Sequence, residues 1–390
     1  MKVLFVNSVC DYGSTGKIVR DLANGLKKQG HDVLICYGRH QAKDDIDTFY
    51  IGDKVATYNH VLMTRLFNRH GLHSNRATRK LIQKIETYQP DIIHLHNIHG
   101  YYLNVKMLFD ALKNYEGKIY WTFHDCWPIS GSSAYFDYNG CKKWDDGCVE
   151  CNSTRDYPEA LFIKRQKQNF NWKKQSFSGF TNLTLITPSA WLKDLLALSF
   201  LAGYPCEVIH NGINTQLFKP TEDAKLTEKY QNKRVLLGVA SIWEQRKGLE
   251  DFIKLNAMII DEEKIVLIGL SEEQLKTLPA SMDGVLRTDS AEQLAAYYTL
   301  AHRFLNPTYE DNYPTTNVEA LCCHTPIIAY DTGGNKEVAT EPYMTIVPKG
   351  DVNALYQAIK SDSEVCFDDF DHLKYDSSLF VEKTLKLYQK

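Results

Sequence analysis

Short apolar runs alternate along the whole chain with longer segments whose apolar residues repeat at helical spacing. Runs over 3–6, 33–37, 92–95, 119–123, 183–187 and 207–209 predict one set of strands, and runs over 235–239, 265–268, 285–287, 304–306, 327–329 and 345–347 a second. Between the first two runs, Ile18, Val19, Leu22, Ala23 and Leu26 share one helical face and Gly30 closes the helix, which makes a βαβ unit. This order, with β-rich runs alternating with helical patterns, indicates parallel sheets wound with helices. The order restarts at residue 235, after the turn-rich stretches Asn211-Gly212-Ile213-Asn214 and Phe218-Lys219-Pro220. The pattern therefore predicts an α/β protein of two doubly wound Rossmann-like domains, 1–215 and 216–375, with ligands bound in a cleft outside the carboxyl ends of the strands. A last helix over 376–390, apolar at Leu379, Phe380, Leu385, Leu387 and Tyr388, needs a surface to dock on and is expected to pack back toward the first domain.

Composition narrows the class. Of 390 residues 44% are hydrophobic and 24% charged, which excludes disorder, collagen-like repeats and coiled coil. No apolar run approaches the roughly 20 residues of a membrane span. Ten cysteines without a cationic, apolar leader point to a reduced, cytoplasmic setting. Charge is divided between the halves: residues 1–215 hold 26 Lys and Arg against 20 Asp and Glu, and the remainder 19 against 28. A basic half joined to an acidic half suggests division of labour, at a charge density far below that of nucleic-acid binders, so no nucleic-acid partner is expected.

The most informative segment runs from Asn306 through Asp311 and Pro314 to Glu319, Ala320 and Leu321, after a predicted strand and into a helix. Pro314 ends the loop, and Thr315 or Thr316 can cap the helix. Backbone N–H groups at such a helix start suit a phosphate. Glu319, one turn in, can accept from a vicinal diol such as ribose, while Asp311 projects from the loop; in isolation both acids could instead serve the helix dipole. A second signal, Gly238 to Gly248, ends one strand with Arg246 and Lys247 just before a glycine. Two fixed cations there would stabilise developing negative charge, the task a metal ion performs elsewhere. Asp45-Ile46-Asp47 has the form of a metal-binding D-x-D but lies in an acidic loop and reads as solvated surface.

In the first half, Gly13-Ser14-Thr15-Gly16-Lys17 opens the first helix without meeting the P-loop spacing. It is either a phosphate- or sugar-approaching turn or a turn that needs glycine for backbone reasons alone. His94, His96 and His99 follow one strand and His124 and Asp125 another. His124 is either a candidate to act on a bound ligand or a loop histidine bonded to Asp125. Cys126, Cys141, Cys148 and Cys151 belong to a loop over 126–155 and are either a four-cysteine structural zinc site or free or redox-active thiols. Arg65, Arg69, Arg76, Arg79, Lys80 and Lys84 interleave with Leu62, Leu66, Phe67 and Leu72, a mixture that suits an anionic membrane surface or a plain solvated helix.

Asp311-x7-Glu319, with Ala320-Leu321, Thr325-Pro326 and Gly333-Gly334, resembles the E-x7-E region of the retaining glycosyltransferases of family 4, and the likeness extends over nearly the whole chain. The resemblance implies the GT-B fold. It implies that Glu319 binds the ribose of a nucleotide, that Asp311 lies by the donor sugar, and that Thr315, Thr316 and Asn317 at the helix start hold the diphosphate with Lys247 and Arg246. It also implies that the Gly13–Gly16 loop reaches the donor phosphate and that His124 lies near the transferred sugar. Similar cysteine-bearing loops occur in a subgroup of the family that makes bacterial surface polysaccharides. The implied partners are a nucleoside-diphosphate sugar, UDP-linked before GDP-linked, and a saccharide or lipid-linked acceptor met at the inner face of the membrane, with no cofactor for catalysis. The chain departs from the family pattern at Asp311, one methylene shorter than Glu and beside Glu310, at Ser241, where an Arg is usual, and at His324, where a Gly is usual. These departures keep two alternatives open: an epimerase or hydrolase of the same fold, and a non-catalytic nucleotide-sugar-binding protein.

Overall fold

A computed structural model describes residues 1–40, 42, 46–149, 157–361 and 364–390. The chain divides into two compact units, Met1–His210 with Phe380–Lys390, and Asn211–Leu379.

The first unit is built on a seven-stranded parallel sheet: β1 (Lys2–Val9), β2 (Asp32–Arg39), β3 (Thr48–Tyr50), β4 (Ile92–Leu95), β5 (Lys118–Thr122), β6 (Leu183–Thr187) and β7 (Cys206–Val208), in the spatial order 3-2-1-4-5-6-7. Alternate residues of β1 serve two separate cores. Leu4 and Val6 face Leu81, Leu108, Phe109 and Phe177, whereas Val3 and Phe5 face Ile18, Val19, Leu22 and Leu26 of the helix Gly13–Lys28 together with Phe380, Val381, Leu387 and Tyr388. Burial on both faces explains why these strands read as continuous apolar runs. Gly25 sits where the final helix crosses the first, and a Cβ there would lie 2.5 Å from Val381 Cγ2.

The second unit has six parallel strands: β8 (Arg234–Val239), β9 (Glu263–Ile268), β10 (Asp283–Val285), β11 (Arg303–Asn306), β12 (Ile327–Tyr330) and β13 (Met344–Val347), ordered 10-9-8-11-12-13. The sequence pattern misses β3, a short edge strand whose residues are only partly covered, and sets β10 two residues late. The turn-rich stretch from Asn211 to Asn214, placed before the boundary near residue 215, belongs to the second unit. Ile213 N donates to Tyr375 O (2.9 Å), Ser377 N to Ile213 O (2.8 Å), and the Thr215 hydroxyl to Asp376 (2.5 Å).

Candidate active site

In the second unit three loops converge beyond the carboxyl ends of β8, β11 and β12. The loop after β11 is folded back on buried Thr308, Glu310 and Asn312. Arg246 fastens it: its carbonyl accepts from Tyr309 N (2.7 Å) and the Thr308 hydroxyl (3.2 Å), and its guanidinium donates to Glu310 O (2.6 Å) and lies 3.4 Å from Glu244. Sequence reading gave Arg246 a place on the diphosphate. The structure buries it under the loop, so its guanidinium positions the backbone that carries Asp311.

Lys247, next along, is paired directly with the Asp311 carboxylate. Burial alone would raise the Asp311 carboxyl, but Lys247 and Arg246 outweigh it and hold it below the usual carboxylate range. Two glycines make this approach sterically feasible. Gly248 has φ of 76° and a Cβ there would stand 2.3 Å from Pro307 O; Gly333 has φ of 54° and its Cβ would stand 1.8 Å from Asp311 O. Gly334 N then donates to Asp311 O (3.1 Å). Glu310, the neighbouring acid, is buried and supplies its carbonyl to Arg246.

The helix Thr315–Cys322 starts without a side-chain cap, and its N-cap is Pro314. The capping role read for Thr315 or Thr316 is therefore not filled by either: both lie inside the first turn, because Pro314 already holds the extended dihedrals of a cap. The first N–H groups of a helix have no intrahelical carbonyl, which leaves this end suited to an anion. Asn317 is fully buried and its N–H donates to Pro314 O (3.1 Å). Its side chain accepts from Asn306 (2.6 Å) and donates to Asn335 (3.3 Å), which donates to Tyr330 O (3.0 Å). Asn317 thus ties the helix start to the ends of β11 and β12. Glu319 is half-buried, and its Oε2 accepts from the Tyr298 hydroxyl at 3.0 Å. Burial pushes the Tyr298 phenol well up, so it stays protonated and remains a donor.

Sequence reading missed Tyr298 and Asp251. Asp251 is buried and accepts from Tyr309 (2.8 Å) and Tyr330 (2.9 Å), linking the β11 loop to β12. Both act across long sequence separations that no local pattern encodes. Ser241 is exposed on the loop after β8, and His324 takes φ of 60° at the helix end, stacked on Phe367 at 5.0 Å, which shows why glycine suits that position.

In the first unit Gly13 has φ of 65° and opens a helix whose N-cap, Tyr12, makes no side-chain cap bond. Gly16 packs closely, a Cβ there lying 3.2 Å from Asp11 N and Val9 Cγ2. His124 is half-buried after β5, and its Nε2 lies 3.0 Å from His96 Nδ1. Asp125 is not its partner: that carboxylate bonds His99 Nε2 (2.8 Å) and Trp127 N (2.9 Å). His94 is held by the Tyr388 hydroxyl (2.5 Å) and the Thr122 hydroxyl (2.7 Å).

Burial lowers His60 and His94 to about 3 and His124 to about 4. Between the ordinary value near 6.5 and these values, the unfolded chain binds protons that the folded chain does not, so stability falls as pH drops through that window. For the fully buried His60 and His94 the loss is about 2 kcal/mol each by about pH 5. Five of the six tryptophans lie in the first unit. The urea midpoint followed by tryptophan fluorescence is therefore expected to fall between about pH 7.5 and pH 5, and an unchanged midpoint would contradict the buried, neutral histidines.

In the cysteine-bearing loop Cys126 and Cys148 are buried and Cys141 is half-buried; Cys148 Sγ accepts from Gly131 N (3.1 Å). Among the described residues no three His, Cys, Asp or Glu side chains group as a metal site. Cys151 lies outside the described residues, as does Asp45 of the D-x-D. Asp47 is largely exposed and faces Lys27 at 3.4 Å.

Two wound parallel sheets of seven and six strands define an α/β architecture of the GT-B class. The chain belongs to glycosyltransferase family 4: residues 15–217 match Glycosyltransferase Family 4, and residues 233–361 match Glycosyl transferases group 1. It is 27% identical over 312 residues to the putative colanic acid biosynthesis glycosyl transferase WcaC of Escherichia coli (strain K12), covering 77% of this chain and 74% of that protein. Its fold is similar to that of sucrose-phosphate synthase from Thermosynechococcus elongatus, with a TM-score of 0.73 at 16% identity over 100% of this chain and 98% of that one. Anabaena Alr3699/HepE, solved in complex with UDP, aligns over the full length of both chains with a TM-score of 0.67 at 14% identity. The protein is a glycosyltransferase. Among the described residues no helix is long and apolar enough to cross a membrane.

Proposed function

We propose that this glycosyltransferase moves a hexose from a nucleoside-diphosphate sugar, UDP-linked by preference, to a growing surface polysaccharide or its lipid-linked precursor, with retention at the anomeric carbon. The observation that carries the reading is the Lys247–Asp311 pair on the loop that runs into the uncapped helix Thr315–Cys322, with Glu319 one turn into that helix and held by Tyr298. Lys247 and the first-turn N–H groups answer the charge that develops on the leaving diphosphate, and Glu319, held by Tyr298, accepts from the ribose hydroxyls. Asp311 accepts from hydroxyls of the sugar once the donor draws Lys247 toward its phosphates. In the transfer, the bond from the anomeric carbon to the diphosphate oxygen breaks and a bond to the acceptor oxygen forms on the same face. The acceptor's proton passes to the departing phosphate oxygen. These cationic and backbone groups supply the stabilisation without a metal ion. UDP preference draws support from the HepE complexes with UDP and UDP-glucose, and polysaccharide synthesis from the colanic acid enzyme WcaC.

A lipid-linked acceptor at the inner face of the cytoplasmic membrane draws support from exposed apolar and basic side chains of the first unit. On the helix Lys54–Phe67 the side chains of Val55, Tyr58, Leu62 and Phe67 are exposed, Tyr58 at 77%. Leu161 N donates to Arg65 O (2.8 Å), which sets exposed Leu161, Phe162 and Ile163 beside the end of that helix. Exposed Arg65, Arg76, Arg79 and Lys80 supply the charge that anionic headgroups attract.

The test is nucleoside-diphosphate release from UDP-, GDP- and ADP-hexoses, with and without lipid extract and with EDTA present. Release from a UDP-hexose that extract stimulates and EDTA leaves unchanged is the expected result. Release independent of any acceptor would favour a hydrolase or epimerase, and donor binding without release under every condition would favour a non-catalytic binding protein.

A further inference from the structure

His124 owes its chemical state to a residue that sequence reading left without a task. His96 is 1% exposed, and its backbone is pinned at both ends: its N–H donates to Val6 O (2.9 Å) and its carbonyl accepts from Trp121 Nε1 (3.2 Å). Its ring lies 4.3 Å from that of His94 and is stacked on that of His124 at 5.3 Å with 18° between the planes. The two rings of the stacked pair share one hydrogen bond, His96 Nδ1 to His124 Nε2 at 3.0 Å. His96 Nε2 is buried and has no hydrogen-bond partner among the described residues. His94 offers it nothing, since both His94 nitrogens are taken by the Tyr388 and Thr122 hydroxyls.

One proton lies between the two nitrogens, and it has two homes. If His124 Nε2–H donates, His96 must carry its own proton on Nε2, where a buried N–H would face no acceptor. If His96 Nδ1–H donates, the unmatched atom is a lone pair. Orphaned buried N–H groups are rarer in folded proteins than under-satisfied acceptors, so the second arrangement is favoured. Charging the His96 ring would add a buried cation with no anion beside it among the described residues.

We infer that His96 is a positioning residue that holds His124 as the neutral Nδ1–H tautomer, so that His124 meets its ligand as a hydrogen-bond donor and not as a general base. Its Nε2 is occupied by His96, and Nδ1–H is the group through which the ring acts on a sugar or acceptor oxygen. This ligand rests on the transferase reading above; the tautomer does not.

The test is ¹⁵N-edited NMR of the histidine rings in the full-length protein, with the His124 signals identified by their loss in His124→Gln. A His124 ring protonated on Nδ1 is expected, and protonation on Nε2 overturns the inference. Because this readout needs no turnover, a failed transferase assay leaves it decidable. Two variants test the role. His96→Phe removes the donor and is expected to lower kcat roughly 10- to 100-fold with donor KM unchanged. His96→Asn returns an amide N–H near the place of Nδ1 and is expected to recover most of the loss. Equal loss in both variants, with both folded by circular dichroism, would reduce His96 to a packing residue and overturn the role.

Discussion

Replacing Lys247 by methionine is expected to lower kcat by about 10²- to 10³-fold while leaving the fold in place. Removing one preorganised donor aimed at developing transition-state charge typically costs that much. In the proposed mechanism that contact falls to Lys247, because the guanidinium of Arg246 bonds Glu310 O and lies beside Glu244. Lys247 also neutralises Asp311, whose carboxylate stays half-buried after the substitution. The double variant Lys247→Met/Asp311→Asn removes that stranded charge and separates the two effects. Recovered thermal stability without recovered kcat is the expected pattern. If the double variant regained turnover, the loss in the single variant would belong to Asp311 and not to a missing contact with diphosphate. Arg246→Lys gives a contrasting phenotype: it keeps a charge but loses the fork that holds the β11 loop, so its main effect is expected on stability.

Glu319→Gln is expected to lower kcat/KM for the donor by roughly 10- to 100-fold, chiefly through KM, because a hydrogen bond to a charged acceptor contributes about 1.5–3 kcal/mol. The substitution is nearly isosteric, and the amide oxygen can still accept from Tyr298. Tyr298→Phe leaves the carboxylate but frees its orientation, so a smaller loss of the same kind is expected. Steady-state kinetics on the preferred donor compare the two. A Glu319→Gln enzyme with wild-type KM would remove the ribose contact from the account.

Much of this arrangement was legible because the chemistry is local. Asp311, Pro314 and Glu319 sit on one strand–loop–helix passage, and Lys247 precedes a glycine whose backbone conformation another residue would strain. The sheets were legible because strands covered on both faces become continuous apolar runs. The short edge strand Thr48–Tyr50 lacks that burial and left no such run. What stayed hidden depends on partners far apart in sequence. Arg246 looked like a second free cation, since nothing near it announces the Glu310 carbonyl. The Asn317 side chain's service to the Asn306–Asn335 linkage also left no local sign in the sequence. Of the two readings open for His124, a bond to adjacent Asp125 is not made: that carboxylate bonds His99, and His124 is bonded to His96. Thr315 and Thr316 looked like caps because capping propensity is a property of residue type, while the cap itself is fixed by where Pro314 halts the extended chain.

The most direct test of the central claim is calorimetric titration of UDP into the wild-type protein and into Lys247→Met and Glu319→Gln. The wild type is expected to bind at one site, with affinity weakened about 10-fold or more in each variant while both variants remain folded by circular dichroism. Equal affinity in all three proteins would place the nucleotide elsewhere and contradict the assignment of the donor site to the start of the helix Thr315–Cys322.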